Sequence, residues 1–76
     1  MITVKLFGLL RIESGIKQKQ MEATSVKEVL LALEDAGIPK KDLNGCVILV
    51  GGAPANKRTK LHDGDTVVLM PPVAGG

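Results

Sequence analysis

One stretch governs what this chain can fold into. From Ser25 to Gly37, Val26, Val29, Leu30 and Leu33 recur at i, i+3, i+4 and i+7, drawing one apolar stripe along a helix of about three turns. Ser25 and Glu28 have the S-x-x-E spacing of a capping box, which satisfies amide donors at a helix start. Gly37 supplies the stop, and Pro39 blocks continuation. A lone amphipathic helix must cover an apolar surface, and the rest of the chain offers only β-patterned segments. The fold class expected is therefore α+β, one helix lying across one face of a small mixed sheet.

The β pattern is clearest at the two ends. Ile2, Val4 and Leu6 alternate with Thr3, Lys5 and Phe7, a half-buried strand. Residues 8–15 carry Gly8 and Gly15 and read as a turn. Residues 16–22 alternate again, polar and lysine-bearing, as suits an edge strand paired antiparallel with the first. Residues 39–45 read as a loop, and Cys46 to Val50 as a buried strand closed by Gly51-Gly52. Residues 53–62 suggest a short edge segment with Leu61 turned inward. Asp63-Gly64-Asp65 is a turn, and Thr66 to Met70 is the last strand.

Seventy-six residues make one domain, which buries roughly 60–65% of the surface its unfolded chain exposes. A deep pocket enclosed by this chain alone is not expected, so part of any active site belongs to a partner. Ten basic and eight acidic residues are too balanced for a dedicated nucleic-acid or membrane-surface protein. Phe7 is the only aromatic residue, which excludes a base-stacking platform. One cysteine and one histidine cannot build a zinc site or an iron–sulfur cluster. No metal and no bound cofactor are expected. No apolar run is long enough to span a bilayer and no signal peptide is visible, so the expected location is cytoplasmic.

The C-terminus is the informative part. Pro71 and Pro72 lack amide donors and end the sheet pairing. The reading divides the chain into a body, residues 1–70, and an extended tail, residues 71–76, of up to about 20 Å. Gly75 and Gly76 have no side chains, so the tail can thread a narrow channel and carry its carboxylate to a remote centre. An α-carboxylate, with a pKa of about 3.5, is ionised at neutral pH and can attack an activated phosphate. If Ile2, Val4 and Leu6 face the helix, Phe7 faces away. By the same alternation Val67 and Leu69 pack inward, and Val68 and Met70 face out as a partner patch. Cys46 reads as a small buried hydrophobe and His62 as exposed. Lys57, Arg58 and Lys60 are either a solvated face or a docking point for an acidic partner.

The run from Leu61 to Gly76, with Asp63-Gly64-Asp65 and Pro71-Pro72-Val73-Ala74-Gly75-Gly76, resembles the C-terminus of the ubiquitin-like sulfur carriers. Within them it is most similar to the small subunits of molybdopterin synthase. Val4-Lys5-Leu6-Phe7 through Leu10-Arg11 resembles that family's first strand and turn. The resemblance implies a β-grasp fold with the first and last strands adjacent and parallel. It also implies that a ubiquitin-activating-type enzyme uses ATP to adenylate Gly76, that sulfur transfer makes a thiocarboxylate, and that the tail enters the synthase large subunit to donate sulfur for molybdopterin. Gly75 and Gly76 carry over as threading residues, Gly76 as the reacting one. Phe7, Val68, Met70, Pro71, Pro72 and Val73 form the implied docking surface. Gly51-Gly52 stands where the family often has Asn-Gly, and Met70 where an aromatic is frequent. A thiamine-biosynthesis carrier, a protein modifier joined through Gly76 to lysines, and an interaction module with an inert tail are the competing readings.

Overall fold

The structure, a computed structural model, describes residues 1–72. In chain order the elements are β1 (Ile2–Leu6), α1 (Gly8–Ser14), β2 (Gln18–Met21), α2 (Val26–Asp35), α3 (Lys40–Asn44), β3 (Val47–Val50), β4 (Ala53–Pro54) and β5 (Thr66–Met70). The strands form one sheet in the order β2-β1-β5-β3-β4. Among the described residues only the central β1–β5 pair is parallel, with Val4 opposite Val67 and Leu6 opposite Leu69. The pairs β1–β2, β3–β5 and β3–β4 are antiparallel. This is the ubiquitin-like β-grasp arrangement, an α+β fold.

Period-2 alternation decides which face is core. Ile2, Val4 and Leu6 of β1 and Val67 and Leu69 of β5 are fully buried against Val26, Val29, Leu30 and Leu33 of α2. Leu10, Ile38, Leu43 and Leu61 close the edges of this core. The 53–62 segment fits its reading: two residues form an edge strand, and Leu61 turns inward.

The ends of α2 follow the local chemistry in the sequence. Ser25 Oγ accepts the Glu28 amide at 3.4 Å, and Glu28 Oε1 accepts the Thr24 amide at 2.6 Å and the Thr24 hydroxyl at 2.9 Å. The glutamate thus reaches one residue beyond the N-cap. The Val26 and Lys27 amides, which no helical carbonyl can satisfy, donate to Thr59 O at 3.0 Å and Lys57 O at 3.2 Å. At the other end Gly37, at φ +109°, completes a Schellman pair: its amide donates to Glu34 O and that of Ile38 to Leu33 O.

Four readings need correction. The 8–15 turn is a seven-residue helix, α1, followed by Gly15 in the left-handed region. Its amphipathic signal is missing because only Leu10 is buried, while Leu9 and Ile12 are 60% and 75% exposed. The 39–45 loop contains the short helix α3. Pro39 stops α2 and then, at φ −58°, serves as the N-cap of α3, whose Leu43 plugs the core. The third strand begins at Val47 rather than Cys46 and is not fully buried. Val47 is exposed, and Ile48, Leu49 and Val50 are half-buried, because this strand lies near the edge of the sheet. The second strand is also shorter than its alternation, four residues, Gln18–Met21.

Candidate functional site

The side of the sheet turned away from α2 carries the residues left over by the core alternation. On β5 these are Thr66, Val68 and Met70, all half-buried. The register places Val68 between Lys5 of β1 and Leu49 of β3, and Met70 beside Val47. Phe7 follows β1 in extended geometry, φ −127° and ψ 162°, and its amide donates to Leu69 O at 3.1 Å. That bond extends the ladder one step beyond the Leu6–Leu69 pair and brings Phe7 level with Met70. Phe7 is 42% exposed. Phe7, Val68, Met70, Val47 and Leu49 therefore form one apolar face near the end of β5. Val47 and Leu49 were hidden in the sequence by the unbroken apolar run around them, which gives no alternation to read.

The chain leaves this face at Pro71, half-buried, and Pro72, exposed. Gly8 sets the exit. It sits at φ +61°, and a methyl group placed on it would lie 2.6 Å from Pro71 Cγ and 2.9 Å from Pro71 Cδ. An ordinary carbon–carbon contact is about 3.5–4.0 Å. Only glycine at position 8 combines that backbone angle with room for the proline ring. A shallow groove of about 250 Å³ opens beside the exit between α1 and α3, lined by Leu9, Leu10, Glu13, Lys41, Asp42, Gly45, Pro71 and Pro72. Val73, Gly75 and Gly76, expected at the reactive end, lie outside the described residues.

The remaining polar candidates are engaged locally. Cys46 Sγ donates to Leu43 O at 2.9 Å, and burial pushes its thiol up, against a smaller opposing effect of its own backbone, so thiolate chemistry is disfavoured. His62 and Asp65 close a turn, the His62 amide donating to Asp65 Oδ2 at 2.8 Å and the Asp65 amide to His62 O at 3.0 Å. Asp63 pairs with the α-amino group of Met1. Among the described residues no group of three or more His, Cys, Asp or Glu side chains could hold a metal, and no helix is long and apolar enough to cross a membrane.

An outer apolar face at the root of a Pro-Pro exit, on a sheet whose middle strand is the last, defines a ubiquitin-like β-grasp carrier or modifier. The chain belongs to the ThiS family, which it matches over residues 4–76, and stands among the ubiquitin-like sulfur carriers, close to the molybdopterin-converting factor. It is similar to a chain in the complex of subunits 1 and 2 of the molybdopterin-converting factor from Helicobacter pylori 26695. The identity there is 30%, over 99% of this chain and 97% of that one, with a TM-score of 0.76. It is similar to small archaeal modifier protein 1 from Methanosarcina acetivorans, at 29% identity over 99% and 95% of the two chains and a TM-score of 0.80. It is also similar to a chain in the Amycolatopsis orientalis BexX/CysO complex, at 25% identity over 100% of both chains and a TM-score of 0.76. Among curated proteins no sequence matches.

Proposed function

We propose that this chain carries sulfur on the carboxylate of Gly76 and delivers it, in the cytoplasm, for the synthesis of molybdopterin. The observation that carries the reading is the family match running through Gly76, on a body whose last strand exits at Pro71-Pro72 beside an exposed Phe7. The chemistry needs two partners. A bare carboxylate has no leaving group. An adenylating enzyme of the ubiquitin-activating type joins it to the α-phosphorus of ATP and releases pyrophosphate. Hydrosulfide then attacks the acyl carbon, AMP departs and the sulfur loses its proton, leaving a thiocarboxylate. The chain itself binds no cofactor in this scheme. Its residues present the end: Gly8 and Pro71 aim it, Gly75 lets it thread, and Phe7, Val68, Met70, Pro71, Pro72 and Val73 dock the body on the adenylating enzyme and on a molybdopterin synthase large subunit. The presence of a partner subunit in the Helicobacter pylori complex supports the docking role.

Intact mass of the protein isolated from its host tests the proposal. A species heavier by the difference between sulfur and oxygen, reverting on hydrolysis, is expected, together with loss of sulfur donation when Gly75 and Gly76 are deleted and the fold is retained. Sulfur donation at the wild-type rate after that deletion would refute it. A second reading, attachment through Gly76 to lysines of target proteins, draws on the likeness to small archaeal modifier protein 1. Conjugates on a denaturing blot would favour that reading, and a thiocarboxylate without conjugates the first.

A further inference from the structure

The helical layer, on the other side of the sheet from Phe7, Val68 and Met70, carries a second surface. Between α2 and α3 a cleft of about 130 Å³ has an apolar floor of Leu30, Leu31 and Leu43, with Leu31 55% exposed. Lys27, Lys40 and Lys57 line it from three separate segments, against one acid, Glu34. The ion pairs among the described residues are Met1–Asp63 and His62–Asp65, so none of these lysines has a carboxylate within 4.0 Å there.

The cationic wall is built into the backbone. Lys57 O accepts the Lys27 amide at 3.2 Å, which ties the 56–59 turn to the first turn of α2. That turn is closed by the Asn56 amide on Thr59 Oγ1 at 3.0 Å and the Arg58 amide on Asn56 Oδ1 at 2.8 Å. Lys57 thus projects from a fixed turn beside Lys27, while Lys40 opens α3 and lines the same cleft. Apolar floor plus unpaired cations is the complement of a segment that carries both leucine-like and carboxylate side chains.

We propose that this cleft binds an acidic, leucine-containing segment of a partner protein, on the side of the sheet away from Phe7, Val68 and Met70, so that one partner can hold the body while another works on the chain end. The inference rests on the cleft and its charges and stands whether or not the chain carries sulfur.

The test uses the full chain, labelled with nitrogen-15 and titrated with a synthetic Glu-Leu-Leu-Glu-Asp-Leu peptide. Saturable amide shifts are expected at Lys27, Leu31, Lys40 and Lys57, weakening as salt rises. Affinity should fall about tenfold in Lys27→Glu and in Lys57→Glu, each removing a charge-assisted contact. Lys17→Glu, on an exposed lysine outside the cleft, should leave it unchanged. Variant spectra with undisturbed core amides establish that folding is intact. Shifts confined to Phe7, Val68 and Met70, equal affinity in all three variants, or shifts produced by phosphatidylglycerol vesicles but not by the peptide would each overturn the proposal.

Discussion

Replacing Gly8 with alanine probes how the body aims its tail. The substitution has two separable costs. Holding alanine at φ +61° costs about 1–2 kcal/mol, because the side chain crowds its own backbone in the left-handed region. The new methyl would also lie 2.6 Å from Pro71 Cγ, roughly 1 Å inside an ordinary contact. Overpacking of this kind costs about 1–3 kcal/mol when neighbours hold their places. The total is about 2–5 kcal/mol, and each kcal/mol lowers Tm by about 4–8 °C in a domain of this size. Pro71 lies beyond the last strand and has no amide to anchor it, so part of the second cost can be relieved by displacing the tail root. A urea-denaturation cycle of Gly8→Ala, Pro71→Ala and the double variant separates the two. The double variant should recover the steric share and retain the backbone share, a coupling of about 1–3 kcal/mol. Purely additive single effects, or a Gly8→Ala protein as stable as the parent, would refute the proposed packing of glycine against proline.

Phe7→Ala should weaken binding to the proposed adenylating enzyme or large subunit by about 1–3 kcal/mol in calorimetry while changing stability little, since the ring stands on the exposed face. Leu33→Ala should do the opposite, costing about 2–5 kcal/mol in denaturant titrations because the side chain is fully buried at the centre of the helix–sheet contact. Glu28 gives the fold an acid-sensitive clasp. The Thr24 amide, then the Thr24 hydroxyl, hold its carboxyl below the ordinary glutamate value, with the Ser25 amide assisting and desolvation opposing. A lowered folded pKa contributes stability that is complete above the unfolded value and fades as pH falls through the folded one. The stability gap between the parent and Glu28→Gln should therefore narrow on acidification through the carboxylate range, followed by urea midpoints. Parallel midpoints across that range would contradict the assignment.

The sequence was most legible where one residue and its near neighbours settle the structure. Ser25, Glu28 and Gly37 announce the ends of α2 because caps are made by residues three or four positions apart. Ile2, Val4 and Leu6 announce their face because a strand with one buried side must alternate. The failures have a shared cause. α1 buries only Leu10 and is bounded by glycines, so neither periodicity nor propensity marks it. α3 lies behind a proline that looks only like a stop. The Gly8–Pro71 approach joins positions far apart in the chain, and its need for glycine is visible only once β1 and β5 lie side by side. The cleft between α2 and α3 was half visible, as Lys57 in a basic run, but the leucines beneath it came from other elements.

The placement of β5 between β1 and β3 also fixes how the body answers a mechanical pull. Because β1 and β5 run parallel, the start of the one and the end of the other lie at opposite ends of the pair. A tug on Pro71 against a restrained N-terminus drags β5 lengthwise past β1 and loads the rungs between them in shear, all at once rather than one by one. An enzyme that grips the end of this chain can therefore strain against it without unzipping the sheet behind it.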